Sequence, residues 1–348
     1  MKKFSIVGIY SIIHCIVDMS CAMLIAGILT PVITGTNSLI IAIILYNLFA
    51  FAFQLPFGIL ADKVNKNALV SVIGCLFIIL AYFVNALPIV ACTIAGIGNA
   101  LFHVGGGIDV LNISEKKATL PGIYVATGAM GLYIGSKSTY LGFNKFYIII
   151  ILLAVSIVAL LWLYKQAKQK YKINNAEPKF ENISNKKQFV MYCLLITICI
   201  RGYLGLILNF EWKSNFVIGL VCVTAVVLGK ILGGILGDKF GWKKISTLSL
   251  IISAILFVFA FDNKVCGILA ILFFNMTMPI TLTALSNMFN NNKGMAFGLT
   301  TLALFIGAVP VLFGYTNFLF NNIALFITTM ISSLILYVGL KKYETLEK

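Results

Sequence analysis

The chain has 348 residues, of which 60% are hydrophobic and only 11% charged, with a mean hydropathy of +1.01. A soluble globular domain cannot cover that much apolar side chain with polar surface, so the composition excludes an ordinary soluble fold. It points instead to a polytopic helical membrane protein, in which each spanning helix takes about 20 mostly apolar residues.

Twelve spans are predicted in chain order from apolar run length and from breaks at charges, Pro, Asn and Gly: 5–30, 37–61, 68–86, 88–109, 119–137, 145–164, 188–210, 215–237, 243–261, 265–288, 294–315 and 320–340. The start, Lys2-Lys3 before an apolar run, has the look of a secretory signal. That run continues to about Thr30 and carries His14 and Asp18, so it reads as a retained first span. Between spans six and seven lies LYKQAKQKYKINNAEPKFENISNKK, the only long polar segment. The expected organisation is therefore a six-helix bundle over 1–164, a basic linker over 165–187 and a second six-helix bundle over 188–348.

The net charge of +15 does not describe a nucleic-acid-binding face, because the lysines sit in short loops and the linker. With the N-terminus placed in the cytoplasm, 20 of the 26 Lys and Arg residues fall on the cytoplasmic side, which fixes the expected orientation with both termini inside. Eight cysteines form no CxxC pair and read as buried thiols. With only His14 and His103 available, the spacing offers no zinc or haem motif, and no metal or other cofactor is expected. Lysine in place of arginine, with abundant Asn and Ile, suggests an AT-rich bacterial source and hence the bacterial plasma membrane.

The two halves repeat. FGILADK (57–63) returns as GGILGDK (233–239), so Gly58, Asp62 and Lys63 correspond to Gly234, Asp238 and Lys239. GIYVATGAMGLYIG (122–135) corresponds to GMAFGLTTLALFIG (294–307), and Asn99 and Asn275 precede these segments at comparable distances. Duplicated six-span halves are a transporter signature, since two bundles that rock against each other expose a midplane site alternately.

Six plus six spans, a basic central loop and the Gly-x-Leu-(Ala/Gly)-Asp-Lys phrase after spans two and eight resemble the major facilitator superfamily across essentially the whole chain. The resemblance implies an all-α membrane fold of two pseudo-symmetric six-helix bundles. It also implies a gating role for the repeated phrase, whose aspartate in that family meets the N-terminus of a neighbouring helix, where the dipole favours an anion. Asn65 stands where the first copy of the phrase usually has glycine. Within the superfamily, His14 and Asp18 in span one, NALFH (99–103), the glycine-rich fifth span and Arg201 in span seven look most like the fosmidomycin-resistance type of efflux protein.

An ionisable side chain inside the bilayer costs about 2.5–3.5 kcal/mol or more, so it normally faces a cavity or a partner. Asp18 and His14, at i and i+4 on span one, share a helix face and form a candidate proton-coupling pair. Arg201, the single arginine, lies 14 residues beyond Lys187, about 21 Å along a helix, and is a candidate for binding an anion or pairing with Asp18. Lys230 and Gln54 stand eight residues before Asp238 and Asp62, respectively, and are candidates for substrate contact or coupling, with snorkelling the alternative for Lys230. His103, Asn47, Asn99, Asn209 and Asn275 complete the candidate cavity residues.

Nothing in the sequence supplies a nucleophile–base constellation, a phosphate loop or a metal cluster, so the chain is not expected to be an enzyme. The expectation is a monomeric secondary active transporter in the lipid bilayer, proton-coupled, exporting a small organic solute or drug by alternating access. Two alternatives stay open: uptake of a small anionic metabolite, and ligand sensing without net transport.

Overall fold

The computed structural model describes residues 3–142, 146–167, 184–289, 291–316 and 319–346. Most of the expected linker, 168–183, lies outside them. The described residues form twelve long helical stretches: α1 Lys3–Leu29, α2 Thr36–Val64, α3 Asn67–Phe83, α4 Pro88–Ile113, α5 Thr119–Ser136, α6 Phe146–Ala167, α7 Asn185–Ile207, α8 Phe216–Phe240, α9 Trp242–Phe259, α10 Lys264–Met288, α11 Lys293–Leu312 and α12 Asn322–Tyr343, with one 3-10 turn at Glu211–Ser214. They follow the twelve predicted spans in order. Ten are long and apolar enough to cross a membrane. The other two are α3, an apolar helix of 17 residues, and α5, whose four glycines dilute its hydropathy.

The polar residues that punctuate the sequence act as caps. Asn215, Asn263 and Asn321 accept backbone N–H bonds at the starts of α8, α10 and α12, and Ser184 does so for α7. Prolines explain the internal breaks of α2 and α10. Pro56 has no N–H to give to Ala52, and α2 changes to a π turn over Leu48–Ala52 just before it. Pro279 stands four residues after Asn275, where α10 breaks at Met276.

Contacts divide the chain into two units, Met1–Ile113 with Thr127–Pro178 and Phe289–Leu302, and Ser114–Ala126 with Lys179–Met288 and Ala303–Lys348. Within the first, α1 packs on α4 and α6, α2 on α4, and α3 on α4 and α6. The second repeats the scheme: α7 packs on α10 and α12, α8 on α10, and α9 on α10 and α12. The duplication seen in the sequence is thus a duplication of helix packing.

The burial pattern of α6 shows why it sits where it does. On α6, Ile151, Val155, Val158 and Trp162 form an exposed apolar stripe, while Ile149, Leu153, Ser156 and Leu160 are buried. An apolar face left outward on every bundle is what a lipid solvent requires. The closest helix pair in the first unit, α3 with α4, depends on small residues. A Cβ added at Gly74 would lie 2.5 Å from the Phe102 nitrogen and 2.6 Å from the Gly98 carbonyl oxygen.

Candidate functional site

In the first unit, α1 and α4 each present polar side chains one turn apart. His14 and Asp18 come from α1, and Asn99 and His103 from α4. They meet. His14 Nε2 lies 3.2 Å from Asp18 Oδ2, His103 Nε2 lies 3.5 Å from Asp18 Oδ1, and the two Nε2 atoms are 2.8 Å apart. The rings meet edge to face at 89°. Asn99 Nδ2 donates to Asp18 Oδ1 at 3.0 Å. Asp18, His14 and Asn99 are buried, and His103 is half-buried.

The tautomer of His103 follows from its other nitrogen. Nδ1 lies 2.8 Å from the carbonyl oxygen of Asn99, which can only accept, so Nδ1 carries a hydrogen. In neutral His103 the Nε2 lone pair then faces His14 and Asp18. A third helix closes this side through a missing side chain: a Cβ at Gly128 of α5 would overlap Asp18 Oδ2 and His14 Nε2. Farther along α5, a Cβ at Gly131 or Gly135 would overlap the carbonyls of Cys15 and Met19. The glycines of the fifth predicted span are therefore where α5 meets α1.

The repeated phrase makes the same contact in both copies. Asp62, at the end of α2, accepts from Gly294 N and Met295 N at 2.8 and 2.9 Å, in the first turn of α11. Asp238, at the end of α8, accepts from Ala118 N at 2.9 Å, and from Thr119 N and Oγ1 at 2.8 and 2.6 Å, at the start of α5. Trp242 Nε1 adds a fourth donor at 2.9 Å. Both carboxylates occupy the positive end of a helix dipole. The glycines give the access: a Cβ at Gly58 would overlap the Gly294 carbonyl, and one at Gly234 would lie 2.6 Å from the Ala118 oxygen. Asn65 ends α2 in the left-handed conformation, φ 53°, which asparagine tolerates better than most residues. Lys63 and Lys239 are exposed beside the two carboxylates in sequence.

The remaining candidates separate. Arg201 is buried in the second unit; its Nη1 donates to Thr281 Oγ1 at 3.4 Å, and its buried Nη2 has no hydrogen-bond partner among the described residues. Lys230 is also buried, and its ammonium donates to the Val125 carbonyl of α5 at 3.0 Å, so it does not snorkel to the surface. Gln54 is buried with Nε2 on the Ala50 carbonyl in the π turn, while its Oε1 has no partner among the described residues. Asn47 and Asn275 are half-buried and turn back onto carbonyls of their own helices, those of Ile43 and Ile271. Asn209 lies past the end of α7 and is exposed. Outside the spans, Lys213 donates to the Leu208 carbonyl at 3.1 Å, and burial lowers its pKa.

Two partners escaped the sequence reading. Thr281 gave no signal as a partner of Arg201, 80 residues away. Asp109, at the last position of the fourth predicted span, is half-buried and accepts from Tyr10 Oη at 2.5 Å and Asn67 Nδ2 at 2.8 Å. A carboxylate inside a long apolar run was the available sign of it.

The class that this architecture defines is the major facilitator fold: an all-α membrane protein built from twelve long helices with a repeated packing scheme and paired aspartate contacts at helix starts. Solved structures bear this out. The chain is similar to the Escherichia coli fucose:proton symporter FucP, with a TM-score of 0.67, 10% identity and 99% of each chain covered. A FucP structure in the outward conformation gives a TM-score of 0.63 at 12% identity, with 96% of this chain and 99% of that one covered. A bacterial homologue of the iron transporter ferroportin, in an outward-facing state, gives 0.69 at 11% identity, with 99% and 100% covered. At these identities the likeness is one of fold. No family model matches the sequence, and no curated protein does.

Proposed function

We propose that the chain is a secondary active transporter that couples the movement of a small organic solute to protons. The observation that carries this reading is the buried Asp18–His14–His103 centre. A carboxylate and two imidazoles meet inside the bilayer-spanning part of a transporter fold, oriented by Asn99, where an isolated charge would be costly. Two facing ring nitrogens 2.8 Å apart must share a hydrogen, so the centre can hold and release one. The aspartate contacts of Asp62 and Asp238 serve as gate latches that break and reform at the starts of α11 and α5 during alternating access. In this reading the six-span halves, 1–164 and 188–348, are the moving bundles, joined by the 165–187 linker. The protein works as a monomer in a bacterial plasma membrane with both termini cytoplasmic.

Export, of the kind that the fosmidomycin-resistance resemblance implies, is the direction we favour. Uptake of a small anionic solute is the second reading. It is favoured by Arg201, whose Nη2 has no partner among the described residues, and by the proton symport named for one structural neighbour. An efflux-deficient bacterium carrying wild type, Asp18→Asn, Arg201→Met or empty vector, matched for membrane expression, separates the two readings when grown against toxic compounds that include phosphonates. Protection by wild type that Asp18→Asn loses is the expected result. Sensitisation by wild type indicates uptake, and no difference from vector across the panel counts against drug export.

A further inference from the structure

The chain has two histidines, and both reach the same buried carboxylate. We propose that His14, Asp18 and His103 form a binding site for a divalent first-row transition-metal cation, which takes the place of the proton shared by the same groups. The proposal deepens, and for its transport meaning rests on, the reading of this centre as the cation site of a transporter.

The geometry is that of a ligand set. A metal ion bound to imidazole nitrogen and carboxylate oxygen sits about 2.0–2.2 Å from each. That radius places neighbouring ligand atoms about 2.9 Å apart at right angles and about 3.4 Å apart at tetrahedral angles. Here the two Nε2 atoms are 2.8 Å apart, His14 Nε2 is 3.2 Å from Asp18 Oδ2, and His103 Nε2 is 3.5 Å from the other carboxylate oxygen, Oδ1. One ion fits against the two rings with the carboxylate offering both oxygens, or a single oxygen once the carboxylate turns.

His103 carries the protonation pattern of a ligand. His103 gives its Nδ1 hydrogen to the Asn99 carbonyl, which leaves Nε2 as the donor atom toward the site, the arrangement that metal-bound histidines use. The same asparagine donates its side-chain amide to Asp18, so one residue orients two ligands. Gly128 keeps the adjoining space free of a side chain beside Asp18 Oδ2 and His14 Nε2. The half-burial of His103, against the full burial of the other two, makes its side the route of access. Two imidazoles and one carboxylate select borderline cations such as Zn²⁺ or Co²⁺ over Mg²⁺ and Ca²⁺, which prefer oxygen. Binding requires a lone pair on both Nε2 atoms, so the hydrogen between them leaves: it goes to solvent when the pair carries an extra proton, and moves to His14 Nδ1 when both rings are neutral.

The test uses the full chain in detergent, purified on a tag without histidine, with Co²⁺ as probe. Equilibrium titration and X-ray absorption of the loaded protein are expected to give one ion per chain with imidazole scattering, undiminished by excess Mg²⁺. Because the chain has no other histidine, imidazole scattering identifies the site without any substitution. His103→Gln should weaken binding by at least the roughly 10–100-fold that loss of an outer-shell partner alone causes. Lack of Co²⁺ binding by folded wild type overturns the proposal, as does sulfur-only ligation from cysteines or unchanged affinity in His103→Gln. Should the variant fail to fold, the wild-type absorption decides alone. The assay involves no gradient and no solute, so it fails separately from transport: Co²⁺ bound without proton movement sinks the coupling reading, and proton movement without Co²⁺ binding sinks this one.

Discussion

Removing Asp238 should loosen the start of α5 far more than removing Asp62 loosens the start of α11. Asp238 accepts from two backbone N–H groups, one hydroxyl and one indole, whereas Asp62 accepts from two backbone N–H groups. Each hydrogen bond to a charged group contributes about 1.5–3 kcal/mol at most. Both aspartates are only half-buried, so water replaces part of what is lost. Loss of a single capping interaction costs about 0.5–2 kcal/mol, and a partly buried anion at a helix N-terminus adds up to about 2 kcal/mol. Asp238→Ala is therefore expected to cost about 2–4 kcal/mol locally, and Asp62→Ala about 1–2 kcal/mol. In opening constants these are factors of roughly 30–1000 and 5–30.

Amide hydrogen exchange followed by mass spectrometry reads both directly, because exchange tracks local opening. Asp238→Ala should speed exchange in the peptide holding Ala118 and Thr119 and leave Gly294–Met295 nearly unchanged. Asp62→Ala should do the reverse, more weakly. Equal effects of the two substitutions, or acceleration at the wrong helix start, would refute the reasoning from donor count and pairing.

Two further substitutions separate packing from function. Gly74→Ala inserts a methyl group against the backbone of α4 at Phe102 and Gly98, where nothing flexible can yield, and should lower stability by about 1–3 kcal/mol, seen as a lower thermal midpoint in detergent. Arg201→Met removes a buried cation whose Nη2 is without a partner among the described residues, and so should leave the thermal midpoint unchanged or raised while reducing solute movement; a large drop in midpoint would mark the guanidinium as structural.

How much of this was legible depends on range along the chain. Span order was readable because lipid demands long apolar runs, and the caps and breaks followed from single Asn and Pro residues acting on their own helices. The two aspartate contacts were also accessible, because the phrase that carries them occurs twice. The centre on α1 and α4 was only half visible. His14 and Asp18 show as an i, i+4 pair, but His103 is 89 residues from His14, and a lone histidine on an apolar helix gives no sign of what it faces. Asp109 was hidden differently: its partners Tyr10 and Asn67 lie on two other helices, and tyrosines and asparagines are too common to signal a pairing. Snorkelling stayed open as the alternative for Lys230 because helix position alone does not reveal the α5 backbone beside it.

The most direct test of the central claim needs no knowledge of the solute. Proteoliposomes adsorbed on a sensor are subjected to a pH jump at constant salt, and the charge displaced by proton binding is recorded. Wild type should give a transient current that Asp18→Asn lacks and Arg201→Met retains, with protein density matched. An equal current from Asp18→Asn, or none from folded wild type, would contradict the claim that the Asp18–His14–His103 centre is where this protein takes up its proton.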